Sequence, residues 1–160
     1  MNIFIQSGQG SGPTELSAFD RALVEAQIAN FNLIYLSSVL PPASEIKLEG
    51  HADLSRASWG DRLYVVMAQQ RTSTPNEEAW AGVGWIQDES GRGLLVEHEG
   101  HTEEQVKADI THSLEALAAN RGMQFGPIQM RVHGIRCIDR SVCALVVAVF
   151  ESEGWSGSYH

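Results

Sequence analysis

Apolar residues recur along this chain with two periods. Between residues 14 and 30, Leu16, Phe19, Leu23 and Ala26 return every three or four positions, which places them on one helical face. Thr14, directly after Pro13, is a suitable start for that helix. Residues 102–121 carry a cleaner stripe of Val106, Ile110, Leu114 and Leu117. Thr102 and Gln105 have capping-box spacing, and Glu103 and Glu104 suit the positive end of a helix dipole. Gly122 marks the C-terminus of that helix.

The remaining apolar segments are short and read as strands: about 2–6, 31–37, 62–70, 80–87, 93–98, 128–136 and 141–150. Leu33-Ile34-Tyr35-Leu36 and the run Ala144–Phe150 show little alternation, so both faces of such strands require cover. Two helices are too few to flank a seven-stranded parallel sheet. Two sheets packed face to face, with the helices outside, bury both faces. The pattern therefore predicts an α+β sandwich in a single domain, 1–160. Residues 7–13 read as a flexible turn, and the Gly/Ser-rich segment 151–160 as a fraying tail.

Composition narrows the chemistry. The 160 residues carry 20 Asp+Glu against 11 Lys+Arg, a formal charge of −9, with no basic run. Nucleic acid is therefore a poor partner, because phosphate binding needs clustered Lys and Arg. No apolar stretch approaches the roughly 18 residues of a membrane span, and the first residues lack the pattern of a signal peptide. The expected location is the cytoplasm. Cys137 and Cys143 read as reduced core thiols.

Several segments resemble reactive motifs only superficially. Gly8-Gln9-Gly10-Ser11-Gly12 lacks both the Lys-Ser/Thr ending of a phosphate loop and the spacing of a dinucleotide loop. His98-Glu99-Gly100-His101 is one residue short of the helical metalloprotease pattern, and no metal site is expected. Glu97, His98 and Glu99 form an ionisable cluster at a strand end, where catalytic groups often sit. Asp20 lies beside the apolar face of the first helix, with Arg21 and Arg136 as candidate partners. The most informative stretch is Asn32–Pro42: an apolar strand runs into Ser37-Ser38, then Val39-Leu40-Pro41-Pro42. Prolines impose extended geometry on what precedes them. A serine held in such a turn can direct its hydroxyl at the carbonyl of the residue before it.

At these residues the chain resembles the pyruvoyl-dependent arginine decarboxylases. The resemblance runs from Leu16–Leu23, through Asn32-Leu33-Ile34 and Ser37–Pro42, to Gly93–Gly100 and the helix after it. It implies a four-layer α-β-β-α sandwich and a proenzyme that cleaves itself between Ser37 and Ser38. Ser38 becomes a covalent pyruvoyl cofactor, leaving a β chain 1–37 and an α chain 38–160. Asn32 matches a residue needed for that maturation; its amide could donate to the oxyanion formed during the acyl shift. The pyruvoyl group forms a Schiff base with L-arginine and serves as the electron sink for loss of CO₂, giving agmatine. Glu97 matches the proton donor, a role favoured by burial behind Leu94-Leu95-Val96. Asp20 matches the carboxylate that holds the substrate guanidinium. Ser37, Glu99 and Gly100 adjoin the pocket. The resemblance also implies a homotrimer, or a hexamer, with active sites between neighbours. Arg21 departs from the family pattern, where a small residue is usual. Two alternatives stand beside this reading: a pyruvoyl enzyme acting on another amino acid, and an unprocessed relative serving in binding or assembly.

Overall fold

The computed structural model describes residues 1–155. In chain order its elements are β1 (Asn2–Gly12), α1 (Glu15–Glu25), β2 (Asn32–Tyr35), β3 (Val39–Leu40), β4 (Glu45–Lys47), β5 (Arg62–Thr72), β6 (Glu78–Gln87), β7 (Gly93–Gly100), α2 (Glu103–Arg121), β8 (Gln129–Arg136) and β9 (Ser141–Glu153). A five-stranded mixed sheet has the order β2-β5-β9-β1-β4, and a four-stranded antiparallel sheet has the order β3-β7-β6-β8. The chain is thus an α+β domain with two sheets and two helices.

Strand β9 shows how the apolar pattern is spent. It lies centrally, between β5 and β1, and every residue from Ser141 to Val149 is buried. Its even-numbered residues Val146 and Ala148 pack with Ile3, Ile5 and Val66 against Val83, Trp85 and Leu95 of the second sheet. Its odd-numbered residues Leu145, Val147 and Val149 pack beneath Ala18, Ala22 and Ala26 of the α1 region. A two-residue period thus feeds two separate clusters. On the second sheet, Val106, Ile110 and Leu114 of α2 cover Ile86, Leu94 and Val96. Helix α2 begins where its sequence predicts. Thr102 Oγ1 accepts from Gln105 N at 3.2 Å, and Gly122 closes the helix in the left-handed region at φ 60°. Cys137 and Cys143 are free and buried in different clusters; burial pushes the Cys143 thiol up to about 11.

Four expectations need correction. Residues 7–12 are not a flexible turn but the second half of β1. Their glycines form the bed of α1: a Cβ on Gly8 would lie 2.2 Å from Ala22 O, and one on Gly10 would lie 2.3 Å from Ala18 O. The glycines recur every second residue because a helix backbone presses on one face of the strand. The fully buried residues within α1 are accordingly Ala18 and Ala22; of the predicted stripe, Leu16 is 66% exposed, Phe19 and Leu23 pack at the edge of the core, and Ala26, at the helix end, is buried. Strand β2 is not covered on both faces, because it is the outer strand of its sheet; Tyr35 is 64% exposed. Finally, β9 continues through Glu153, and Trp155 Nε1 donates to Gly60 O at 2.9 Å. The fraying expected from residue 151 therefore does not hold for 151–155. The rest of that predicted tail, 156–160, lies outside the described residues.

Candidate active site

Ser37 and Ser38 bridge the two sheets. The N–H of Leu36 still donates to Val65 O of the first sheet, at 2.9 Å. Two residues later, the carbonyl of Ser38 accepts from Leu95 N of the second sheet, also at 2.9 Å. The chain has no slack between these anchors, and Ser38 adopts φ 75°. That left-handed backbone costs a non-glycine residue about 1–2 kcal/mol. Val39 and Leu40 then pair with Leu94 and Gly93 as β3, with Leu40 in the extended geometry that Pro41 requires. The strain falls on Ser38, the second residue of the serine pair.

Strand β3 pairs only with Gly93 and Leu94, so the edge of β7 is open beyond it. There a cavity of about 450 Å³ opens between β7, the Ser37-Ser38 turn and the C-terminal half of α2. Its apolar wall includes Leu94, Val96 and Leu117. Its polar groups are Ser37, Ser38, Glu97, His98, Ser113 and Arg121. Ser38 Oγ donates to Glu97 Oε2 at 3.0 Å, within hydrogen-bond reach for proton transfer. His98 Nε2 is 2.7 Å from Ser113 Oγ. Glu97 is exposed rather than buried, because it lies where β7 passes beyond its covering strand. A larger cavity, about 740 Å³, lies around Gln87, Asp88 and Phe125. It contains neither Ser37, Ser38 nor Glu97; its own serine–carboxylate pair, Ser90 Oγ donating to Asp88 Oδ1 at 2.6 Å, lies in an exposed turn where Arg92 also engages Asp88, at 2.6 Å.

The other candidate residues lie apart from Ser38 within one chain. Asn32 stands at the far end of β2, where its Nδ2 donates to Gly60 O at 2.7 Å. About 13 Å of strand separates it from Leu36, at ~3.3 Å per residue. Asp20 is exposed on α1, over the other sheet. It makes no ion pair among the described residues; Arg136, a predicted partner, binds Glu78 at 2.9 Å instead. Arg21 does not face it either, but lines a small cavity with Gln9 and Glu25. Glu99 and Gly100 continue β7 beyond Glu97, opposite Ala81 and Trp80. His98 and His101 separate, His101 Nδ1 lying 3.0 Å from Glu78 O. Sequence reasoning missed Ser113 and Arg121. Their signal was the four-residue spacing of Ser113, Leu117 and Arg121 along one side of α2.

A serine hydroxyl on a strained inter-sheet turn, bonded to a carboxylate at a cavity mouth, defines a nucleophile–acid/base class of site. The family model described as pyruvoyl-dependent arginine decarboxylase matches residues 2–153, and the chain belongs to that family. Relatives bearing that name include one from Halobacterium salinarum, 37% identical over 108 residues, covering 67% of this chain and 66% of the relative. One from Thermoplasma volcanium is 36% identical over 119 residues, covering 71% and 64%. One from Thermococcus kodakarensis is 31% identical over 149 residues, covering 91% and 92%. The match to the first two thus spans just under two thirds of those proteins' own length. The family takes its name from a covalent pyruvoyl cofactor. The local residues fit such a group: Ser38 would supply the side chain, its turn is strained, and its hydroxyl bonds a carboxylate at the mouth of a cavity.

Proposed function

We propose that this chain is a self-processing pyruvoyl-dependent arginine decarboxylase that converts L-arginine to agmatine and CO₂. The observation carrying this reading is the 3.0 Å hydrogen bond from Ser38 Oγ to Glu97 Oε2, on a turn held between two sheets. In maturation, Ser38 Oγ attacks the Ser37 carbonyl carbon and its proton leaves to a base. The Ser37–Ser38 amide becomes an ester with a free Ser38 amine. Elimination takes the Ser38 Cα proton to a base and breaks the Oγ–Cβ bond, leaving a Ser37 carboxylate and a dehydroalanine at 38. Water then replaces the nitrogen, ammonia departs, and a pyruvoyl group remains. Relief of the φ 75° backbone at Ser38 favours cleavage at this bond. Asn32 supports maturation by fixing the start of β2 through Gly60.

When present, the pyruvoyl group supplies an electrophilic carbonyl and an electron sink for loss of CO₂. Glu97 then faces the reacting centre and holds the proton destined for the former α-carbon. The apolar wall of Leu94, Val96 and Leu117 limits water there. Asp20 of a neighbouring copy holds the substrate guanidinium with two hydrogen bonds. Exposed Ile34, Tyr35 and Val39, which flank the Ser37-Ser38 turn, support a second copy seated on this side. The assembly proposed is a homotrimer or hexamer. The three clusters between and outside the sheets support a four-layer α-β-β-α sandwich as the single domain 1–160. No helix among the described residues is long and apolar enough to cross a membrane. Two free thiols support a cytoplasmic location. Intact mass of the purified protein and CO₂ release from L-arginine test the reading together. An unsplit chain, or a split chain inactive on arginine, rejects it.

A further inference from the structure

We propose that Arg121 binds the α-carboxylate of the substrate and so sets the direction in which the substrate lies in the Ser38 cavity. This rests on the decarboxylase reading above. Arg121 is the last residue of α2 and lines the same cavity as Ser38 and Glu97. Its Nη1 donates to Leu117 O, one turn back, at 3.2 Å, which leans the side chain along the helix end beside the cavity. It makes no ion pair among the described residues. The other titratable groups in the cavity are Glu97, bonded to Ser38, and His98, engaged with Ser113. Among the described residues that line the cavity, Arg121 is therefore the fixed cation, one turn beyond Leu117 of its apolar wall.

The substrate has three charged groups: an α-amine, an α-carboxylate and a guanidinium. The amine must reach residue 38, where the chemistry occurs. A guanidinium is repelled by Arg121, whereas a carboxylate matches its planar fork. Only one orientation satisfies both demands: carboxylate toward the end of α2, guanidinium away from it. The product differs at just this point. Agmatine has lost the carboxylate and keeps both cations, so Arg121 no longer attracts it and instead repels it. One residue thus favours substrate entry and product departure. The carboxylate keeps most of its charge until the C–C bond breaks, so Arg121 holds the bound substrate and the transition state about equally. Its loss is felt in KM rather than in kcat.

The test uses the split enzyme and the variants Arg121→Ala, Arg121→Met and Arg121→Lys, each first confirmed split by mass. Steady-state kinetics on arginine are compared with inhibition by agmatine. For the alanine and methionine variants, KM for arginine rises about tenfold, kcat stays within about threefold, and the agmatine inhibition constant is unchanged or lower. Lysine restores most of the arginine KM because it keeps the charge. Equal weakening of arginine and agmatine would mark a merely structural residue and overturn the assignment, as would an unchanged KM. Wild-type protein that splits but does not decarboxylate arginine rejects the underlying reading. Calorimetric titration of arginine and agmatine then decides the carboxylate preference independently of turnover: arginine-selective weakening in Arg121→Met upholds it, and any other pattern rejects it.

Discussion

The N–H of Leu95 donates to the carbonyl of Ser38 at 2.9 Å, and two residues further along β7 the Glu97 carboxylate takes the hydroxyl of the same serine. One strand therefore holds Ser38 by its backbone and by its side chain. The serine hydroxyl has little freedom to turn away from Glu97.

Ser38→Ala removes the attacking hydroxyl. The variant should migrate as one piece on a denaturing gel, where the wild type should give fragments 1–37 and 38–160, and agmatine formation should be absent. A split alanine variant would show that Ser38 is not the nucleophile.

Glu97→Gln keeps the size and a hydrogen-bond acceptor for Ser38 but cannot deliver a proton. Self-cleavage should persist, while decarboxylation falls by about 10²–10⁴-fold, the usual worth of a positioned acid. Full turnover by the glutamine variant would remove Glu97 from the proton step.

Asp20→Asn keeps the shape and removes the charge. Splitting should be unaffected, since Asp20 lies over the other sheet from Ser38. KM for arginine should rise at least about tenfold, consistent with loss of a charge-assisted pair. Unchanged arginine kinetics would sever Asp20 from substrate recognition.

Gly10→Val tests the close seat of α1 on β1. A Cβ at that position would lie 2.3 Å from Ala18 O, which is backbone and cannot swing aside. Overpacking of this kind costs about 1–3 kcal/mol or more, a fall in Tm of roughly 3–10 °C for a domain of this size. Leu16→Ala, at a 66% exposed position, should change Tm little. Equal effects from the two substitutions would contradict the helix–strand packing.

His133 gives the fold a pH dependence of known sign. Burial is the largest influence and pushes its pKa down, Glu25 works against this, and Arg131 adds to it. The native state therefore favours neutral imidazole, with Nε2 set 3.0 Å from Gln9 Oε1. Stability is fully present above the ordinary histidine pKa near 6.5 and declines as pH falls through the lowered native value. Tm should drop as pH falls below about 6.5, and His133→Gln should flatten that part of the curve relative to wild type. A parallel curve for the glutamine variant would assign the dependence to other groups.

The elements legible in the sequence were those whose local signals and packing agree. Helix α2 was readable from Thr102 to Gly122 because cap, stripe and terminator coincide. Strand β9 was readable because a long apolar run needs cover on both faces. Residues 7–12 were misread because glycine signals a turn by itself. Here it signals an approaching helix, and only the spacing of Ala18, Ala22 and Ala26 on that helix could have shown it. The exposure of β2 was illegible because its apolar residues look the same whether a strand lies inside a sheet or at its edge. Ser38 and Glu97 are 59 positions apart, and their pairing follows from the register of β3 on β7, which no local pattern encodes. The family resemblance supplied both residues, but not Arg121, which enters the cavity only because α2 folds back along β7.

The Ser37–Ser38 bond is the crossing from one sheet to the other, and β1, on its N-terminal side, lies between β9 and β4 rather than at the rim. Cleavage there would change the molecularity of folding. An intact chain folds as one body, whereas the cut protein dissolves into a large fragment missing an interior strand and a 1–37 peptide that must find it again. Unfolding of the mature form would then depend on protein concentration. Its reassembly from denaturant would be second order, so the chain folds once as a single molecule and afterwards persists as a complex of two.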